Sequence, residues 1–213
     1  MTEPKRFTSK GLRTRERIVE AAGELFLTQG LAATSLDDVK AAAGISSSQL
    51  YHYFDGKSDL LQAVAVRHTA NIVAAQGPML RDMRGLDSLR DWARFVVDNF
   101  RSFDCCGGCP LGSLGSEVAE YDELARQAIS ASLGQWEDVL RAGLTNLTES
   151  GVLDGHADPE ALAMSLIVAL QGGLLLGKIH RSHRPLKVAL ENAIDYIASF
   201  STPSRTRALA AAG

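Results

Sequence analysis

Three cysteines, Cys105, Cys106 and Cys109, are all that a chain of 213 residues contains, and they sit together in one short stretch. Cysteines bunched this way cannot form a framework of paired disulfides, which excludes the cross-linked scaffolds of small secreted domains and fits a reducing compartment. Long apolar runs are scarce too. No apolar stretch of the kind found in a secretory leader opens the chain. The longest uncharged run, Ala161 to Gly177, is 17 residues with Ser165, Gln171 and three glycines inside it, short of the roughly 20 that a membrane span needs. The expectation is a cytoplasmic protein with no membrane partner. No segment alternates apolar and polar residues with the period of a strand. There is no phosphate-binding loop, dinucleotide-binding glycine pattern, nucleophile elbow or zinc-protease helix, so neither an enzyme nor a cofactor is expected.

What is present is helical periodicity and a modest asymmetry of charge. Residues 1–20 carry six Lys or Arg against three Glu, while the whole chain is at −3, so a basic start precedes an acidic body. Phosphate binding needs only such a local patch. Apolar residues Ile18, Ala21, Ala22, Leu25 and Phe26 predict a helix from Leu12 to Thr28, closed by Gly30.

The most informative stretch follows. Ser35 is placed to cap a helix with Asp38 at its third position, and Leu36, Val39 and Ala43 share one face. After two turns Gly44 supplies the left-handed residue that ends a helix, with apolar Ile45 to anchor the turn. Ser46 caps a second helix, and Gln49 completes its capping box. That second helix is polar and thinly charged, with Leu50 and Phe54 to pin it down. Two short helices hinged at a glycine, the second one polar, predict a helix-turn-helix that reads base edges in the major groove.

From Arg15 to Val64, the run of Ala21-Ala22, Leu25-Phe26, Gly30, Thr34-Ser35, Val39, Ala43-Gly44-Ile45-Ser46, Leu50-Tyr51-His52-Tyr53-Phe54, Lys57 and Leu60-Leu61 resembles the N-terminal domain of the TetR family of transcriptional repressors. Carried over position by position, the resemblance implies that Ser47, Ser48 and Gln49 face bases. It places Tyr51 and Tyr53 on the backbone and nearby bases, and Thr34, Ser46, His52 and Lys57 on phosphates. Gly108-Cys109-Pro110-Leu111-Gly112-Ser113-Leu114 through Glu117, and Leu170-Gln171-Gly172-Gly173, resemble stretches of one branch of that family.

Beyond Asp55-Gly56-Lys57, periodicity predicts helices from Lys57 to Gln76, stopped by Gly77-Pro78, then Asp87–Phe103, Ser113–Ala119, Asp122–Ser150, 158–180 and 184–200. The fold class is therefore all-α with about nine helices: a flexible arm at 1–10, a helix-turn-helix domain at 11–56, a helical ligand-binding and dimerisation domain at 57–200, and a frayed tail at 201–213. The helix at 158–180 is apolar nearly all round, and its neighbour carries two apolar stripes. Both are expected to pack on a second copy of the chain, through Leu170, Gly173, Leu174, Leu190, Ile194 and Ile197. Trp92, Phe95, Phe103 and Trp136 are more aromatic surface than one bundle stripe uses. They line either an effector pocket, with Glu117 and Gln171 as its polar groups, or plain core. Cys105, Cys106 and Cys109 leave a thiol- or metal-sensing regulator open as an alternative, against a glycine-broken loop with packed thiols. The function expected is that of a homodimeric repressor, bound to a palindromic double-stranded operator and released by a small-molecule effector.

Overall fold

The computed structural model describes residues 7–202, and among these it has nine helices: α1 (Ser9–Gln29), α2 (Leu36–Ala43), α3 (Ser47–Tyr53), α4 (Lys57–Arg81), α5 (Leu86–Ser102), α6 (Pro110–Val118), α7 (Glu123–Glu149), α8 (Pro159–His180) and α9 (Arg184–Ala198). The one extended pairing among the described residues is an isolated bridge between Leu153 and Ser201. Most of the expected arm, residues 1–6, and of the expected tail, 203–213, lie outside the described residues. The chain divides into two units. The first runs to Asn71 and includes Pro110–Leu133; the second comprises Ile72–Cys109 and the chain from Gly134 onward.

In the first unit, Thr8 accepts a hydrogen bond from the Gly11 amide, and this cap starts α1 three residues before the expected Leu12. Ile18, Val19, Ala21, Ala22 and Phe26 form its buried stripe. The first turns of α4 lie against α1: Arg67 reaches Glu16 at 2.7 Å and Glu20 at 3.0 Å. These packings, with that of α6 on α1, are why the unit boundary falls inside α4 and not at residue 57. Beside Arg67, the His68 Nε2 is buried with no hydrogen-bond partner, and a Cβ on Gly23 of α1 would lie 3.6 Å from it. Burial, helped by the Arg67 charge, holds the His68 imidazole below its ordinary value.

In the second unit, α4 does not stop at Gly77-Pro78. Pro78 lies inside the helix, and the Asp82 amide still closes the last turn on the Pro78 carbonyl at 3.2 Å. Packing carries the helix through the proline: Leu80 is fully buried, and α7 comes so close that a Cβ on Gly143 would stand 2.5 Å from the Leu80 carbonyl oxygen. The α6 helix likewise starts at Pro110 and not Ser113, since proline is tolerated in a first turn. Asp158 caps α8 as expected, accepting from the Glu160 amide at 3.0 Å.

The residues expected at a dimer interface are turned the other way. Leu170, Leu190, Ile194 and Ile197 are at most 2% exposed and Leu174 is 9% exposed. A Cβ on Gly173 would stand 2.6 Å from the Leu186 Cα. They close α8 onto α9 and the rest of the same chain. A helix that is apolar all round gives no sign in its sequence of which side faces its own core. The outward residues are Met164, Val168, Leu175, Leu176 and Ile179 on α8, with Val188 and Tyr196 on α9. By length and composition, α8 at 22 residues is long and apolar enough to cross a membrane, although 44% of its most apolar window is buried within the chain.

An unpartnered histidine that resists protonation in the fold ties stability to pH. The folded state holds fewer protons at His68 than the unfolded state does, so its contribution is complete above the ordinary value of 6.5 and is lost as the pH falls below it. Asp38 and Asp122, held below the usual carboxylate range by hydrogen bonds from Ser35 and Ser58, titrate under that window. Thermal unfolding between about pH 7.5 and 5.5 should therefore show a falling midpoint in the wild type and a flatter profile in His68→Leu. Parallel profiles would remove His68 as the cause.

Candidate nucleic-acid interface

Two reciprocal caps and one left-handed residue shape α2 and α3. Ser35 Oγ accepts from the Asp38 amide at 3.1 Å, and Asp38 Oδ2 accepts from the Ser35 amide at 2.8 Å. Gly44 lies at φ 61°, ψ 47°, and its N–H donates back to the carbonyls of Ala41 and Lys40. The Ile45 amide also returns to the Lys40 carbonyl, at 3.1 Å. Ser46 Oγ then accepts from the Gln49 amide at 3.3 Å, and Gln49 Oε1 accepts from the Ser46 amide at 3.0 Å. Val39 and Ala43 of α2, with Leu50 of α3 and Phe54 just after it, are buried and fix the pair to its support. The Arg15 guanidinium lies 5.0 Å from the centre of the Phe54 ring, a cation over an aromatic face.

That anchoring leaves one polar face outward. Ser46, Ser47, Ser48, Gln49, Tyr51 and His52 are exposed, and Tyr53 and Lys57 are half-buried. Gln49 spends its side-chain oxygen on the cap. Tyr53 packs between Phe7 at 5.0 Å and His52 at 4.9 Å, ring centre to ring centre, so a residue from the expected arm orders the end of α3.

Thr34 departs from the expectation. It is 1% exposed, and its hydroxyl donates to the Gly30 carbonyl at 2.8 Å, so its side chain is committed inside the fold and cannot reach a phosphate. Lys40, which the sequence reading passed over, donates to Ser47 Oγ at 2.7 Å and pairs with Asp37 at 2.5 Å. Its place in the last turn of α2, seven residues before Ser47, was the available signal.

Of the six residues assigned to an effector, five belong to the second unit and Glu117 to the first. Trp92 and Trp136 are buried in the second unit, and both indole N–H groups donate to one acceptor, Gln76 Oε1, at 2.9 and 3.1 Å. Gln171 Nε2 lies 3.2 Å from Cys109 Sγ. Phe95 and Phe103 are 38% and 64% exposed. Glu117, in the first unit, accepts from the amides of Leu31 and Ala32 at 2.9 and 3.2 Å, so its carboxylate is engaged there. A groove of about 600 Å³ in the second unit runs instead between α5 and α9, lined by Arg94, Asp98, Arg101, Lys187, Glu191 and Asp195 among others, and by none of the six. Cys105 and Cys109 are buried and Cys106 is exposed. No group of three or more His, Cys, Asp or Glu among the described residues is placed to hold a metal ion.

A capped helix, a left-handed glycine turn and a polar second helix on a helical body define a helix-turn-helix transcriptional regulator. Comparison with known proteins names the family. Residues 18–64 match the profile described as bacterial regulatory proteins, tetR family. Residues 86–192 match the C-terminal domain of LmrA/YxaF-like transcriptional regulators. The chain belongs to the TetR family and is a DNA-binding transcriptional regulator. It is 27% identical to the uncharacterized HTH-type transcriptional regulator YxaF of Bacillus subtilis, over 86% of this chain and 94% of that one. It is 26% identical to the HTH-type transcriptional repressor NemR of Escherichia coli, over 87% and 94%. The crystal structure of E. coli NemR in its reduced form superposes with a TM-score of 0.77 at 25% identity, covering 91% of this chain and 99% of that one.

The hinge makes a clean prediction. Nothing lies within 4 Å of a Cβ built on Gly44, so only backbone conformation opposes a side chain there. Gly44→Ala should lower unfolding stability by about 1–2 kcal/mol, while Gly44→Asn, which tolerates the left-handed region, should lose less. Equal losses in urea unfolding would mean that something other than the left-handed φ is at work.

Proposed function

We propose that the chain is a one-component repressor: a homodimer whose two heads read a palindromic operator and whose C-terminal domain takes a small-molecule effector that releases the DNA. The observation that carries this reading is the exposed polar start of α3, where Ser47, Ser48 and Gln49 lie on the surface while the Gln49 side-chain oxygen closes the cap. In this reading Ser47, Ser48 and Gln49 read bases, Tyr51 and Tyr53 approach backbone and bases, and Ser46, His52, Lys57 and, newly, Lys40 meet phosphates. The protein acts in the cytoplasm by binding and not by catalysis.

The dimer is supported by the outward apolar faces of α8 and α9, which need a partner, and by the small site that one recognition helix covers; two linked heads add their binding free energies. The effector half is supported by the match over residues 86–192 to the C-terminal domain of LmrA/YxaF-like transcriptional regulators. By linkage, an effector binds the DNA-free form more tightly by the factor with which it weakens operator binding.

Selection of duplexes from a random-sequence pool is the experiment that tests the reading. An inverted repeat should be enriched, and Gln49→Ala should lose about 1–3 kcal/mol at one position of it; a pool left unenriched contradicts the proposal. Val168→Glu should sediment as monomers and lose the selected duplex, whereas Gly173→Ala should lower unfolding stability first. A Val168→Glu variant that stays dimeric would move the interface off α8. For the effector, a compound that raises the unfolding midpoint should weaken duplex binding, and a tight ligand without that effect overturns the inducible part alone.

A further inference from the structure

The α6–α7 corner, at Glu117 and Asp122, holds the DNA-binding head at two points. Glu117 Oε2 accepts from the backbone amides of Leu31 and Ala32, 86 and 85 residues away in the chain. Those amides belong to the turn between α1 and α2, just after Gly30 ends α1 at φ 89°. The turn satisfies some of its groups alone, through the Thr34 hydroxyl on the Gly30 carbonyl and the Thr34 amide on the Leu31 carbonyl at 3.2 Å. The two amides at 31 and 32 depend on Glu117. Five residues later, Asp122 caps α7 through the Ala125 amide at 3.0 Å and accepts from Ser58 Oγ, in the first turn of α4, at 2.6 Å. The helix-turn-helix is strung between these anchors, one before α2 and one after α3. The corner is also tight, for a Cβ on Gly115 of α6 would stand 3.0 Å from Ile129 of α7.

We infer that Glu117 is a positioning residue for operator binding: its carboxylate fixes the α1–α2 turn, and so sets how α2 and α3 are presented to DNA. The inference rests on the reading of α3 as the base-reading helix. Its sign separates it from plain electrostatics. A carboxylate in a head that meets phosphates opposes binding by its charge, so on charge alone removing it strengthens binding to every duplex. If position matters more, removal weakens binding, and does so for the cognate duplex in particular.

The test uses the full-length protein, the duplex selected by the wild type and a scrambled duplex of the same composition. Glu117→Ala removes the acceptor. Glu117→Asp keeps the charge and shortens its reach, and Glu117→Gln keeps an oxygen at the same reach without the charge. Glu117→Ala and Glu117→Asp should bind the selected duplex about tenfold or more weakly, the size expected when hydrogen bonds to a charged acceptor are lost. Glu117→Gln should restore most of the affinity, and the scrambled duplex should change by less than about twofold in the weakening direction. Hydrogen exchange at the amides of Leu31 and Ala32 should quicken in the first two variants and not in the third. Should Glu117→Ala fail to fold, Glu117→Asp carries the test. Binding unchanged or tightened in these two variants overturns the assignment, and so does equal weakening on both duplexes, which marks a loss of folded protein only. A wild type that selects no duplex defeats the DNA-reading proposal instead, a result distinct from either.

Discussion

Helices of eight and seven residues are too short to persist on their own propensity, so the reading surface of this chain depends on how their ends are tied. Each start is closed reciprocally, Ser35 with Asp38 and Ser46 with Gln49, and the junction turns on the left-handed Gly44. Every orphan amide satisfied this way is one that the body does not have to satisfy, which leaves the apolar side chains Val39, Ala43, Leu50 and Phe54 free to dock the pair by burial alone. The outward face can then be polar without loss of structure. Gln49 shows the economy of the arrangement, since one end of its amide holds the helix start and the other remains for a partner.

The same local chemistry explains what the sequence disclosed. Caps, the glycine turn and the Asp158-Pro159 start depend on residues two to four apart, and each stands where a linear reading puts it. The helical stripes of α1, α5 and α7 needed only periodicity. Structure departs from sequence where distant packing overrides a local signal. Pro78 reads as a stop, yet Leu80 and the close approach at Gly143 hold α4 together past it. The resemblance places Thr34 on a phosphate, yet its hydroxyl is drawn inward to the Gly30 carbonyl.

The candidate sites divide in the same way. The polar face of α3 was legible because neighbouring residues build it. Glu117 reads as a polar group for an effector pocket, but its partners are 86 and 85 residues away and no spacing rule reaches them. Trp92 and Trp136 stand out in the sequence as surplus aromatic surface, while the Gln76 oxygen that joins them lies on another helix and leaves no mark in the pattern. For α8 the composition shows a helix apolar nearly all round without telling inside from outside. Burial decides it: Leu170 and Leu174 belong to the chain's own core, and Val168 and Leu175 to its surface.

Two heads acting as one reader is the central claim, and stoichiometry on DNA tests it most directly. Sedimentation of the full-length protein with the selected palindrome, and with a duplex carrying one half-site, gives both the number of chains bound and the affinity of each complex. The account predicts two chains on the palindrome and binding to the single half-site weaker by about a hundredfold or more. One chain on each duplex, with equal affinity, would contradict it.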